Sequence, residues 1–462
     1  MESELMHTRY HDNSRLRVVG LGQADTPFSP SAIKASMGEL MEGWLKLLPK
    51  FVAPQEGEWP APKAIHMDFA CGGPMLDSMR TVLGPANVKL LFWFSAGSAC
   101  FLEHFATYDF AEITQSIFED EARRRGRSYD EILSAVAAAR NGTDALRGTI
   151  KKYAGAPDMY DWERGFDSAT LMQLLNLLLA SLLLGAQAFA KVADGFILTD
   201  DPATAAEGVS ATKGHYEKLG KETFFVGPQL HQSYWGLGEP TAIENEQVAS
   251  FLASAEPKSV LFISFGSLFF PVATPGLVNS LIETLLTLDT PFPFLFALGG
   301  KMASLPAKLI ERVNSSGKGL ICDFWVEQRA ILQSGAIGFF LSHGGWNSIT
   351  ESVSQGIPLI IWPANAEQPI NAAVLSNQPN PVAFELLQVR CGTACAPSLR
   401  TPTRITGTED DAVQEFKEVF KKARGDEGKV LRANVEEMAA KLRESRKVVG
   451  QAEIERLIAF CS

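Results

Sequence analysis

From residue 259 to residue 362 the chain repeats one pattern: a short unbroken run of apolar residues, a turn, then a segment with helical spacing. The apolar runs fall at 259–265 (SVLFISF), 292–298, 319–322, 336–341 and 357–362; helical spacing falls at 277–288, 328–333 and 347–355. Runs of that length without polar alternation read as strands buried on both faces. Such strands, separated by helices through short loops, are joined by right-handed crossovers into a parallel, doubly wound sheet. The first half keeps the same rhythm more loosely. Strand-like runs occur at 16–21, 64–69, 88–94 and 195–199, a helix is predicted over 110–125, and FVGP at 225–228 closes this half. The stretch 229–258 is rich in Gly, Pro and Glu and poor in apolar periodicity, which predicts an interdomain linker. Beyond residue 411 the tail is helical, with Val413, Phe416, Val419 and Phe420 on one face. The fold class is therefore α/β, with an N-terminal domain over 1–235, a linker over 236–258, a C-terminal domain over 259–440 and a terminal helix over 441–462.

Composition narrows the functions open to such a chain. The 462 residues suffice for two or three domains without staples. The charge sum of −11 argues against a basic nucleic-acid surface. The six cysteines form no Cys-x-x-Cys pair and no zinc-spaced cluster, so free thiols in a reducing compartment, the cytoplasm, are expected. Residues 1–17 are polar and lack the apolar core of a signal peptide. The run 171–190 has the length of a membrane span but carries Gln173, Asn176, Ser181 and Gln187. A buried helix of a large domain fits it as well, and membrane association is kept as the alternative.

The chemistry is concentrated in residues 324–371, FWVEQRAILQSGAIGFFLSHGGWNSITESVSQGIPLIIWPANAEQPIN. At its centre, residues 341–348, a buried strand ends, Gly344 and Gly345 make a tight turn, and a helix begins. Glycines admit a ligand close to the backbone, and the N–H groups of a first helical turn attract anions. His343, Asn347 and Ser348 add side-chain donors at the same pole. This is a diphosphate site without an acidic metal-binding motif, since no Asp-x-Asp occurs in the chain. Each residue also has a plainer reading. Ser348 and Glu351 have the spacing of a capping box, Trp325 suits a half-buried strand end, and His343 suits a satisfied loop histidine. Their joint order favours the ligand site.

That order resembles the signature of UDP-dependent glycosyltransferases of family one, the plant-secondary-product type, with its spacing intact from Trp325 to Gln368. The resemblance implies a GT-B fold: two Rossmann-like domains facing a cleft, with a UDP-sugar in the C-terminal half and a small lipophilic acceptor in the N-terminal half. It implies that Trp325 stacks on uracil and that Gln328 lies beside uracil and ribose. His343, Asn347 and Ser348 would meet the diphosphate at the Gly345 turn. Trp346 would touch the sugar through its backbone, and Glu351 would hold the ribose hydroxyls. Glu367-Gln368 would hold the sugar hydroxyls where the family usually has Asp-Gln; the glutamine leans toward glucose. Ser267, in Ile263-Ser264-Phe265-Gly266-Ser267, would meet a phosphate. Ser95 would lie near the sugar. No cofactor and no metal are expected.

One expected part is missing. The family takes the acceptor proton with a histidine in a Gly-His-x-x-Pro loop after its first strand, oriented by an aspartate that corresponds here to Asp68. No such loop occurs in this sequence. His7 and His11 lie in the charged opening. His66, two residues from Asp68 and so on the same face of a strand, is the substitute candidate. An N-terminally shortened chain is therefore expected. Two readings follow: an inverting UDP-hexosyltransferase, or a UDP-sugar-binding protein of the same fold that has lost catalysis. A dinucleotide oxidoreductase is disfavoured, because Gly20-Leu21-Gly22 is followed by Asp25 where the third glycine belongs.

Overall fold

The computed structural model describes residues 30–52, 60–83, 88–106, 109–140, 148–164, 171–237, 241–267, 269–271, 274–299, 303–364 and 366–462. The strand expected at 16–21, His7 and His11 lie outside the described residues. In the N-terminal half, β1 (Ala64–Asp68), β2 (Lys89–Phe94), β5 (Gly195–Leu198) and β6 (Glu222–Phe225) pair in parallel in the order β1-β2-β5-β6. Strands β3 (Ile150–Lys151) and β4 (Met159–Tyr160) form a small separate hairpin. The C-terminal sheet contains β7 (Val260–Ser264), β8 (Phe294–Ala297), β9 (Gly319–Cys322), β10 (Ile337–Ser342), β11 (Leu359–Ile361) and β12 (Ala383–Glu385). Its order is β12-β11-β10-β7-β8-β9, all parallel.

That order fixes the place of the site. From β7 the chain winds outward through β8 and β9, then returns to the middle at β10 and winds the other way. The reversal lies between β7 and β10, and the loops leaving their C-terminal ends border a crevice where α/β sheets bind ligands. Every residue of β7, β8, β9 and β10 is buried, as the unbroken apolar runs require. Phe262 stacks on Phe340 across the two central strands, centroids 4.8 Å apart.

Local chemistry departs from the sequence reading in two places. The helix expected over 110–125 is two, Phe110–Glu119 and Glu121–Arg124. Asp120 separates them, because its carboxylate accepts from Ala122 N and Arg123 N and starts a new helix. Within the 236–258 linker a helix, Glu246–Ala253, is capped by Asn245 and buries Val248 and Leu252 in a C-terminal core cluster. The helix Leu171–Val192 packs on Phe69–Leu83, and Ala186, Phe189 and Ala190 join the N-terminal core. Among the described residues no helix is long and apolar enough to cross a membrane. At the end of the chain, Asp426–Ser445 runs through a π-helical turn into Gln451–Cys461. This last helix lies on the N-terminal sheet: Glu453 accepts from Lys213 Nζ and Phe225 N, and Phe460 packs on Phe224.

Candidate functional site

The helix Trp346–Ser354 starts one residue earlier than the spacing suggested, with Gly345 as its N-cap and no side chain satisfying the cap. Ser348 is thus the third helical residue rather than the cap, and the capping box with Glu351 does not form. Glu351 is free to turn elsewhere, and its carboxylate accepts from Gln328 Nε2 at 2.6 Å. Gly345 supplies no cap, so apart from Trp346 N, which Glu367 takes, the first turn turns its N–H groups and the positive end of the helix dipole toward the crevice. Asn347 is exposed there, and Ser348 is buried.

His343 lies at this pole. It fills the space that glycines leave open: an added Cβ at Gly345 would come within 2.4 Å of its Nε2, and one at Gly266 within 2.9 Å of its Cε1. Phe269 stacks on the ring at 5.9 Å. Burial pushes the imidazole pKa down to about 4, so at neutral pH the ring is uncharged and donates one N–H. In the unfolded chain it would titrate near 6.5. Its contribution to stability is present above that value and is lost as pH falls toward the folded value. Half-buried Glu351 and Glu367, whose carboxyls desolvation pushes up, titrate with the opposite sign. Comparing wild type with His343→Gln therefore isolates the histidine. Near pH ~5 the wild type should lose about 2 kcal/mol more, relative to neutral pH, than the variant does in denaturant unfolding. Equal losses would contradict a neutral, half-buried His343.

Around this centre the other residues assemble. Trp325, which follows β9, is 71% exposed and packs over Gly299, leaving a broad aromatic face in solvent. Tyr234 lies beside Glu351, its phenol pushed up by burial and by that carboxylate's charge. Glu367 Oε1 accepts from Trp346 N at 3.4 Å, Gln368 Oε1 accepts from Ala364 N at 3.0 Å, and Asn371 Nδ2 donates to Gly344 O at 3.0 Å. Ser267 is exposed just after Gly266. The two domains meet at Trp346: its indole Nε1 donates to Thr199 Oγ1 at 2.9 Å, and its ring packs on Gly97, two residues after half-buried Ser95. Thr199, Tyr234 and Phe269 have no site role in the sequence reading, because only long-range folding brings them here; Asn371 ends the 324–371 stretch without a role assigned to it. His66 and Asp68 lie on one exposed face of β1, the edge strand of the four-stranded N-terminal sheet.

Residues 238–391 match the family described as "UDP-glucoronosyl and UDP-glucosyl transferase". A UDP-glycosyltransferase of Hericium erinaceus, eriJ, is 29% identical over 79% of this chain and 70% of its own. A flavanone 7-O-glucoside 2''-O-beta-L-rhamnosyltransferase of Citrus maxima is 36% identical, but over 34% of each chain, so the match spans only about a third of that relative. Among solved structures, a UGT transferase from Siraitia grosvenorii in complex with UDP superposes with a TM-score of 0.65 at 19% identity, over 97% of this chain and 87% of that one. Os79 from O. sativa in complex with UDP gives 0.63 at 18%, over 93% and 85%.

Proposed function

Because the chain belongs to the UDP-dependent glycosyltransferases of family one, with their GT-B fold, we propose that it transfers a hexose, glucose by preference, from a UDP-sugar to a hydroxyl of a small lipophilic acceptor with inversion. The observation that carries the reading is the helix N-terminus at Gly345, which has no side-chain cap of its own, beside a neutral, half-buried His343. In this reading the oxygen of the acceptor attacks the anomeric carbon from the face opposite UDP. The new C–O bond forms as the bond to the β-phosphate oxygen breaks, and the acceptor proton passes to a base. Charge accumulates on the departing diphosphate, where the helix N–H groups, Asn347, Ser348 and the His343 N–H stabilise it, with Ser267 on a phosphate. No metal is required. Trp325 stacks on uracil, Gln328 and Glu351 take the ribose, and Glu367 and Gln368 take the sugar hydroxyls. His66, with Asp68 on the same strand face, is the candidate base.

The test is a calorimetric titration of UDP and UDP-glucose, followed in the same sample by an assay of UDP release with a panel of phenolic acceptors. Binding with release supports transfer, and loss of release in His66→Ala would then identify the base. Binding without release would make the chain a UDP-sugar-binding protein. Absence of binding would overturn the assignment of residues 325–368.

A further inference from the structure

Away from the crevice, a buried chain of charges joins the two domains. Glu163, just after the β3–β4 hairpin, is 1% exposed. Its carboxylate accepts from Tyr160 N at 3.0 Å within its own domain. Across the interface it accepts from Leu399 N at 2.9 Å and from the Ser398 hydroxyl, and it pairs with Arg400 Nε at 3.4 Å. Trp162 Nε1 donates to Pro397 O at 2.7 Å beside it. The Arg400 guanidinium then grips Glu385 with two bonds, at 2.7 and 3.1 Å, and Arg390 adds a third at 2.6 Å. Burial alone would raise the Glu385 carboxyl, but the two arginines outweigh it and hold it below the usual range. Glu385 ends β12, and the oxygen that takes Arg400 Nη1 also accepts from the Ser376 hydroxyl at 3.5 Å.

Ser376 is the last residue of the helix Gln368–Ser376. The opposite end of that helix is also held by the N-terminal domain. Ile370 is buried in the N-terminal core cluster, and Trp346, whose N–H reaches Glu367, bonds Thr199. The helix that begins at the Glu367-Gln368 pair is thus fixed at both ends against the domain that would present the acceptor. A buried multi-charge relay is an expensive way to gain stability alone, since apolar residues of similar shape often do as well. Its geometric specificity is what it offers, because a bidentate Arg–carboxylate pair fixes direction as well as distance.

We propose that Glu163 is a positioning residue for the sugar half of the donor: through Arg400, Glu385 and Ser376 it sets the helix Gln368–Ser376, and with it Glu367 and Gln368, against the N-terminal domain. The inference rests on the donor assignment above. Its signature is a split between two ligands. In that assignment UDP alone meets neither Glu367 nor Gln368, whereas the glucose of UDP-glucose is held by both.

The experiment titrates UDP and UDP-glucose into the wild type, Glu163→Gln and Arg400→Lys, with thermal unfolding of each. Glu163→Gln keeps an acceptor for Leu399 N but loses the charge, and Arg400→Lys keeps the charge but loses the fork. In both variants the affinity for UDP-glucose relative to UDP is expected to fall about tenfold, with UDP itself unchanged within about twofold. Ser376→Ala, at the far end of the relay, should fall in the same direction by less. Equal losses for the two ligands, or a lowered melting temperature with the ratio unchanged, would overturn the proposal and leave a structural clamp. Wild type that fails to bind either ligand refutes the donor assignment instead, before any variant is compared.

Discussion

Glu351→Ala is expected to weaken UDP binding by about 10²-fold, with almost no loss of fold stability. The carboxylate is buried enough that its pKa is raised, so the charge already carries a desolvation penalty in the free protein. It is oriented by Gln328 at 2.6 Å, beside the Tyr234 phenol. Two ribose hydroxyls offered to a preoriented carboxylate form charge-assisted bonds of about 1.5–3 kcal/mol each, and truncation also leaves Gln328 without its acceptor. A loss of ~3 kcal/mol corresponds to ~10²-fold in Kd. Glu351→Gln, which keeps one acceptor oxygen, should fall between. The control is uridine: the Glu351→Ala loss should persist with the bare nucleoside, because the ribose remains, whereas a His343→Ala loss should appear only when phosphates are present. Had Glu351 completed a capping box, the same substitution would instead cost about 1 kcal/mol of stability and leave binding intact. Calorimetry and thermal unfolding on one variant distinguish the two outcomes.

Glu351 also shows why the site was largely legible in the sequence. Apart from Ser267, the residues assigned to the donor run from Trp325 to Gln368 along one strand–turn–helix unit and its neighbours, so local spacing already places them near the C-terminal ends of β9, β10 and β11. The double glycine set the turn. What spacing could not supply was the helix start: Gly345 caps the helix in an extended conformation, which shifts Ser348 into the first turn and releases Glu351. A more careful reading of Asn245, followed by Val248, Phe251 and Leu252, would have found the helix inside the linker, since the cap and the apolar spacing are both in the sequence. Asp120 likewise signals its own cap. Thr199, Tyr234 and Glu163 carry no such signal. Thr199 meets Trp346 across 147 positions, and Glu163 meets Leu399 across 236, so their importance exists only once two sheets are docked.

Gly344→Ala is expected to abolish UDP binding and to cost about 3 kcal/mol of stability or more. Gly344 has φ +85°, a left-handed conformation that costs an L-residue roughly 1–2 kcal/mol. The new methyl group would also come within 2.6 Å of Ile361 Cγ2. Ile361 is fully buried at the end of β11, paired with Ser342 of β10, and cannot step aside without shifting the strand. Overpacking of that kind costs about 1–3 kcal/mol. The backbone relieves both strains by moving away from β11. That movement breaks the Asn371 bond to Gly344 O and carries His343 and the helix start with it. The nearby Gly335 is the control. It too has positive φ, at +76°, but a Cβ there meets nothing within 4 Å. Gly335→Ala should therefore lose only the ~1–2 kcal/mol of backbone strain, with UDP affinity intact. If Gly344→Ala binds UDP as the wild type does, the turn does not hold the phosphates, and the anion site must be sought away from the Gly345 helix start.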